Sequence, residues 1–443
     1  MLYGIVAATS ALLLTAVLAV LLRAPALRLG LLDRRHRQRR VPLSGGAAVV
    51  LATCLVVAAG EWTGYAPLRD GMGVLLAAAA GVAALGLAAD LWRLKTRLLA
   101  LGTAIAAAFV VPYGDTGAAE GAVAVCWIAC VSLAFRALDH ADGVAGTVGV
   151  VTAFGVGACV AAEMMDGLAV LLSVLAAALT GFLMHNWPPA RVALGGCGSL
   201  FAGFVLAAAA VSARAGQEAA TGAAVLFALT AVAVADAALV LLARRVAGRP
   251  LTRGGRDHLA HRLRRLGLTP QGVTIVIGAA AFAGVLVGVL VHSGWADAHA
   301  VLWVAGVTSL VVLGLWRVPV YGRAGEGRWA EGRAPEGRPA ECRPVDGRAL
   351  VGRPVDGGRR RAGEAGARRA GQGVVRRTED ADVRRADEVG ARRGEAPGRG
   401  GQRPRRQPVS AVSPPRSSGE TVVRAARRLD SSQVSGPLRV RNG

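Results

Sequence analysis

No Cys-x-x-Cys pair occurs in this 443-residue chain, and no His stands beside any of its six cysteines. Five of them, Cys54, Cys126, Cys130, Cys159 and Cys197, lie in or next to apolar stretches. They read as small buried residues, which excludes a redox motif or a zinc ribbon built on cysteine. No basic residue precedes the first apolar run, near 2–22, and no small-residue cleavage site is evident after it; Arg23, Arg28, Arg34 and Arg35 follow instead. That pattern argues for a retained helix with its N-terminus outside, and against a cleaved signal peptide. Beyond Val318 large apolar residues almost vanish, which excludes a packed core there. Aromatic residues are only 5% of the chain, and past Val318 they are Tyr321 and Trp329 alone. Nothing is spaced for base stacking, so no specific nucleic-acid partner is predicted.

What is present divides sharply. The chain is 53% hydrophobic with a mean hydropathy of +0.45, yet its formal charge is +22. Residues 1–318 hold the Ala, Val and Leu; residues 319–443 hold Arg, Gly, Glu and Pro. About eleven apolar runs are long enough to cross a hydrocarbon core roughly 30 Å thick. They lie near 2–22, 44–60, 72–89, 97–113, 121–138, 143–162, 167–184, 199–213, 221–243, 271–291 and 299–318. The expected fold is an all-α, polytopic membrane helical bundle followed by a disordered tail.

Positive charge orients it. Connection 23–43 carries seven Arg, whereas the next holds Glu61, Arg69 and Asp70. Arg93, Lys95 and Arg97 follow, then Asp115 and Glu120; Arg136 with His140, then Glu163 with Asp166; Arg191, and finally the Arg-dense connection 244–270. The alternation places the Arg-bearing loops and the tail in the cytoplasm, in a multi-pass plasma-membrane protein. In the tail an acidic residue and an Arg recur every five positions, at Glu326, Glu331, Glu336, Glu341 and Asp346. Five fits neither helix nor strand, so the segment is a low-complexity tether. Its Arg excess attracts anionic lipid headgroups at about 1 kcal/mol per residue near the surface.

One loop stands out: "RALDHADGVAG", Arg136 to Gly146, sets an Arg, two Asp and a His between two apolar runs. A charge at bilayer depth costs several kcal/mol unless it faces water or a cavity, so the cluster is either a functional site or a solvated connection. Four more stretches lie on the same side: "DRRHRQRRVPLSGG" at 33–46, "GLAADLWRLKTRLL" at 86–99, "HNWPPARVALGGCGSLFAGF" at 185–204 and "GRPLTRGGRDHLAHRLRRLGLT" at 248–269.

Together and in this order the five resemble the polyprenyl-phosphate N-acetylhexosamine-1-phosphate transferases, over about residues 1–318. The resemblance implies transfer of a sugar 1-phosphate from a UDP-amino sugar to polyprenyl phosphate in cell-envelope glycan synthesis. It also implies Mg²⁺ between the phosphates, held by carboxylates. Carried onto this chain, the acid positions are Asp90, Asp139 and Asp142, with Asp90 and Asp139 as metal ligands. Arg97, Asn186, Asp257, His258, His261 and Arg262 would bind substrate; for the two His, interfacial polar residues are the plainer alternative. Asp236 resembles the family's intramembrane Asp, and Pro42, Gly45 and Gly46 match its first loop.

Several positions depart from the pattern. Ala89 replaces the first of an Asp pair, Leu133 and Arg136 replace two Asn, and Gly196 replaces an Asp that ligates the metal. Glycine and leucine offer no oxygen, and arginine repels a cation, so weak or absent Mg²⁺ binding is expected. Arg136 is free to pair with Asp139 or Asp142 and relieve their repulsion without a metal. Two functions compete: a transferase with an unusual site, and a catalytically silent homologue acting as a membrane scaffold or regulator. A transporter is disfavoured, because intramembrane acids are few and no repeat of broken helices is visible.

Deleting the residues after about 325 is expected to leave membrane insertion and detergent stability unchanged. The share of truncated chain in washed membranes, with its elution profile in detergent, checks this; loss from the membrane contradicts it.

Overall fold

A computed structural model describes residues 2–33, 41–64, 71–92, 94–248 and 257–318. The Arg cluster at 34–40, Arg69, Asp70, Arg93, the stretch 249–256 and the whole of 319–443 lie outside the described residues. Among those described, thirteen helices are present and no strand element.

Among the described residues, nine helices are long and apolar enough to cross a membrane. They are α1 (Leu2–Leu21, running on into the short α2, Arg23–Arg28), α3 (Ser44–Trp62), α4 (Met72–Trp92), α6 (Tyr113–Leu138), α7 (Val144–Ala162), α8 (Asp166–Asn186), α9 (Gly195–Arg214), α10 (Ala219–Val246) and α12 (Pro270–His292). Two shorter apolar helices, α5 (Thr96–Ala108) and α13 (Ala300–Trp316), complete the eleven runs read from the sequence. In a bilayer every backbone polar group has to be satisfied within the chain, and an α-helix of Ala, Leu and Val does so by itself. The chain is a multi-pass membrane protein.

Two boundaries differ from the expected ones. α5 stops at Ala108, not 113, because the residue before Pro112 is pushed out of the helical region. Its 13 residues rise only about 20 Å. α6 is broken at Gly117, where φ is +72°.

Successive helices reverse direction, so their ends gather in two sets. At one end Gly45 N–H donates to Ala193 O (3.1 Å), Ala193 N–H to Pro42 O (2.9 Å), and the Gln271 amide to Pro188 O (3.1 Å). This is the acid end, where four of the five marked stretches meet around the carboxylates. At the other end Gln217 Nε2 donates to Glu163 (2.7 Å), and Arg214 contacts His292 (3.1 Å). Trp62 and Trp295 are exposed near that end and Trp92 near the acid end, as expected of aromatic residues at two membrane–water interfaces. Outward-facing Leu13, Leu101, Phe154, Phe282 and Leu302 lie between.

α9 is the axis of the bundle. Nearly all of its residues are buried, and it packs against α4, α6, α7 and α3. Its first turn reads Gly195-Gly196-Cys197-Gly198, and it lets neighbouring backbones come very close. A Cβ on Gly46 of α3 would run into Leu194 O and the backbone of Gly198; one on Gly86 of α4 would run into Gly196 O. Small residues at such crossings replace the hydrophobic driving force that lipid does not supply.

Gly46→Leu is therefore expected to lower the unfolding midpoint in detergent by the equivalent of at least ~2 kcal/mol, the cost of overpacking against backbone. Gly81→Ala, with open space around its Cβ, should leave the midpoint unchanged or slightly raised.

Candidate active site

The first N–H groups of a helix have no partner in the helix itself. Gly195 opens α9 with φ +67°, a left-handed conformation that glycine adopts without a Cβ penalty. Its N–H donates to Asp139 Oδ2 at 3.0 Å. Asp139 sits just past the end of α6. The next N–H, of Gly196, donates to Asp90 Oδ2 at 2.6 Å, from the last turn of α4. Asp142 Oδ2 accepts Ala190 N–H at 3.1 Å. Each acid thus takes a backbone proton, and two of them cap the positive end of α9. Carboxylates there gain ~0.3–1 kcal/mol each, and up to about 2 when partly buried.

Arg136 does not pair where the sequence reading put it. Its guanidinium Nη2 lies 3.7 Å from Asp90 Oδ1, across α9 from its own helix, and not against Asp139 or Asp142. The reason is that α4 and α6 both pack on α9 and aim the two side chains at the same point. A Cβ on Gly196 would collide with Arg136 Nη1 and stand 2.8 Å from Asp90 Oδ1. The glycine is what leaves room for the guanidinium. Nη1 is buried there with no hydrogen-bond partner, and leaving such a donor unmet costs roughly 1–3 kcal/mol.

These residues do not fit Mg²⁺. That ion needs near-octahedral oxygen ligands at about 2.0–2.1 Å. Here each of the three carboxylates has an oxygen committed to a backbone N–H, and a fixed positive charge stands beside Asp90.

Next to the acids is a small recess lined by Asp33, Asp139, His140, Asp142 and Asn186, with room for about one water molecule. Asn186, buried, has both ends of its amide in use: Oδ1 accepts Gly143 N–H (2.8 Å) and Nδ2 donates to Val192 O (2.7 Å). It ties the loop after α6 to the loop after α8.

A second cluster adjoins the first. Asp236, fully buried in α10, takes Leu259 N–H on Oδ1 (2.8 Å) and so caps α11 (Leu259–Arg265). Its Oδ2 is 2.9 Å from His258 Nδ1 and 3.9 Å from His140 Nδ1. The rings of His140 and His258 stack at 4.2 Å, and His261 lies 5.4 Å from His140, tilted. Burial pushes the His140 imidazole down to about 3, so the ring is neutral at physiological pH. Its Nδ1 meets Ala137 O at 2.9 Å, while Nε2 is buried without a partner.

The remaining assigned residues lie farther out. Asp257 is held by Arg244 at 2.6 and 3.0 Å, a bidentate pair. Arg262, 2% exposed, donates through Nε to Asp257 O (3.0 Å), and its Nη1 faces the carbonyls of Leu315, Trp316 and Val318. Arg97 is exposed on the first turn of α5. The fold therefore groups Asp90 with Asp139, and Asp142 with Asn186. His258 and His261 are grouped with two residues absent from the assigned set, His140 and Asp236. The signal for His140 was its place directly after Asp139.

Residues 72–214 match the family model described as glycosyl transferase family 4. A Streptomyces coelicolor protein named "Putative glycosyltransferase" is 67% identical over 327 residues, 73% of this chain and 79% of its own length. A Bacillus subtilis protein named "Probable undecaprenyl-phosphate N-acetylglucosaminyl 1-phosphate transferase" is 24% identical over 62% of this chain and 80% of its own. The "Decaprenyl-phosphate N-acetylglucosaminephosphotransferase" of Mycobacterium tuberculosis is 28% identical over 47% of this chain and 60% of its own.

Gly196→Asp alone is expected to lower the detergent unfolding midpoint, because the new side chain enters the space of Arg136. Arg136→Ala alone should lower it too, by stranding Asp90. The double variant should lose less than the sum of the two, with a coupling of about 1 kcal/mol or more; additive losses would show that Arg136 does not hold that space.

Proposed function

The chain belongs to the polyprenyl-phosphate N-acetylhexosamine-1-phosphate transferases, within glycosyl transferase family 4, and from that premise we propose that it is a substrate-binding member whose sugar-phosphate transfer is silent. In this reading the acid end faces the cytoplasm and receives a polyprenyl phosphate and a UDP-amino sugar. Residues 1–318 form the binding domain. Residues 319–443 form a tether that draws on anionic headgroups. Arg loops 23–43 and 244–270 support the orientation.

One observation carries the proposal: Arg136 fills the space over Gly196, beside Asp90, with a buried, unmet donor. A guanidinium recognises phosphate oxygens through several N–H donors in a fixed fork. Nη1 would donate to one such oxygen, while Nη2 keeps its attraction to Asp90. Asp139 and Asp142 shape the recess, each with one oxygen bound to the Gly195 or Ala190 N–H. The names of the Bacillus and Mycobacterium relatives give polyprenyl phosphates as acceptors and an N-acetylglucosamine phosphate as the group moved; the extension to this chain rests on shared family. A working transferase is favoured by a different observation, the buried Asp236–His258 pair beside the recess.

Membranes holding the unmodified protein, given UDP-GlcNAc, undecaprenyl phosphate and Mg²⁺, should form lipid-linked product no faster than control membranes. Binding of the lipid phosphate to purified protein should persist and fall on Arg136→Ala. Replacing Ala89→Asp, Leu133→Asn, Arg136→Asn and Gly196→Asp together should restore Mg²⁺ binding, with effects far from additive, since a hard cation needs several oxygens at once. Robust Mg²⁺-dependent transfer by the unmodified protein, abolished by Asp139→Asn or Asp142→Asn, would establish the enzyme reading instead.

A further inference from the structure

We infer that His140, Asp236 and His258 form a binding site for a borderline transition-metal dication of the zinc class, separate from the Asp90–Asp139 cluster. One ring nitrogen of each His and one oxygen of Asp236 lie within 4.8 Å of one another. The three residues come from different elements: the loop after α6, the interior of α10 and the residue before α11. No pair of them is close in sequence, so chance adjacency along one helix does not explain the group.

The donor chemistry selects the ion. Two imidazoles and a carboxylate suit Zn²⁺ or Co²⁺ and not Mg²⁺, which prefers oxygen alone. His140 supplies the second observation. A neutral imidazole has one N–H and one lone pair to satisfy. Nδ1 lies against Ala137 O, while Nε2, on a side chain 6% exposed, meets no partner. A ring fixed through one nitrogen by a backbone carbonyl, with the other nitrogen bare, is the arrangement that outer-shell contacts impose on metal-bound histidines. Asp236 is fixed in the same way, since Oδ1 is held by Leu259 N–H while Oδ2 faces both rings.

Ligand atoms around tetrahedral zinc stand ~3.3 Å apart, from bond lengths of about 2.0–2.2 Å. His258 Nδ1 stands 2.9 Å from Asp236 Oδ2 and His140 Nδ1 3.9 Å from it, so ligation through His140 Nε2 requires that ring to turn as well. Ligation asks the two rings, now stacked within 16° of parallel, to splay so that both lone pairs meet one ion. The proton shared by His258 and Asp236 leaves to solvent as the metal enters. His261, beside His140, stands where a fourth ligand or a bound anion would complete the shell. The site does not depend on whether the chain transfers sugar phosphate.

The test uses the full-length protein in detergent, with metal-free preparation and Zn²⁺ or Co²⁺ as the probe. The expected result is one Zn²⁺ per chain by elemental analysis after buffer exchange, and intense tetrahedral-type absorption bands with Co²⁺. A large excess of Mg²⁺ should not displace either. His140→Ala and Asp236→Asn should each weaken Zn²⁺ binding by at least ~100-fold, more than the ~10–100-fold loss typical of an outer-shell partner. His185→Ala and His299→Ala, away from the cluster, should leave it intact. Because the unmodified protein is read directly, a variant that fails to fold does not decide the matter. Less than a tenth of an equivalent of bound Zn²⁺ in the unmodified protein, an octahedral-type Co²⁺ spectrum, or undiminished binding by folded His140→Ala would each overturn the inference.

Discussion

The first two backbone N–H groups of α9 lie inside the protein with no partner in their own helix, and the carboxylates of Asp139 and Asp90 accept them. Much of the acid end follows from that constraint. α4 must come close enough for Asp90 to reach Gly196, which it does because neither Gly86 nor Gly196 carries a Cβ. The loop after α6 must hold Asp139 in place, and Asn186 fixes that loop through Gly143 N–H. Once the helix axis is anchored this way, α3 closes over it through Gly45 and Gly46.

Two carboxylates so near each other need a positive charge. The partial charge of a helix N-terminus supplies about half an elementary charge, and a guanidinium supplies a whole one that cannot be lost by deprotonation. A divalent ion would supply more, but it demands oxygen atoms with lone pairs directed at it. One oxygen of each acid already accepts a backbone N–H, at 2.6 Å for Asp90, and the Arg136 guanidinium faces the other oxygen of Asp90. In this arrangement a covalently attached cation, Arg136, stands beside Asp90, and each acid is tied to its neighbours through a backbone N–H.

Much of this was legible in the sequence, for reasons that differ by element. Long apolar runs leave little choice but a helix, so all eleven appeared as helices, nine of them long enough to span, with α5 cut short ahead of Pro112. The acids were found because they sit in ordered motifs on one side of the membrane. The partner of Arg136 was not legible, because Asp139 and Asp142 are its neighbours in sequence whereas Asp90 is its neighbour only across α9. The His140–Asp236–His258 group was hidden for the same reason: it closes a separation of more than a hundred residues. Arg262 was read as a substrate-binding residue, and its burial against the end of α13 could be known only from the packing.

That last contact has a mechanical side. Arg262 faces the carbonyls of Leu315, Trp316 and Val318 and is itself secured to Asp257 O, whose side chain is clasped by Arg244. The point where the chain leaves α13 is clamped as a cable is clamped at its gland. A tug on whatever follows Val318 meets three oxygen atoms gripped by one buried cation before it can unwind the last turn of the helix. The load then passes sideways into α11 and the end of α10, so the membrane helix is relieved of strain that begins beyond it.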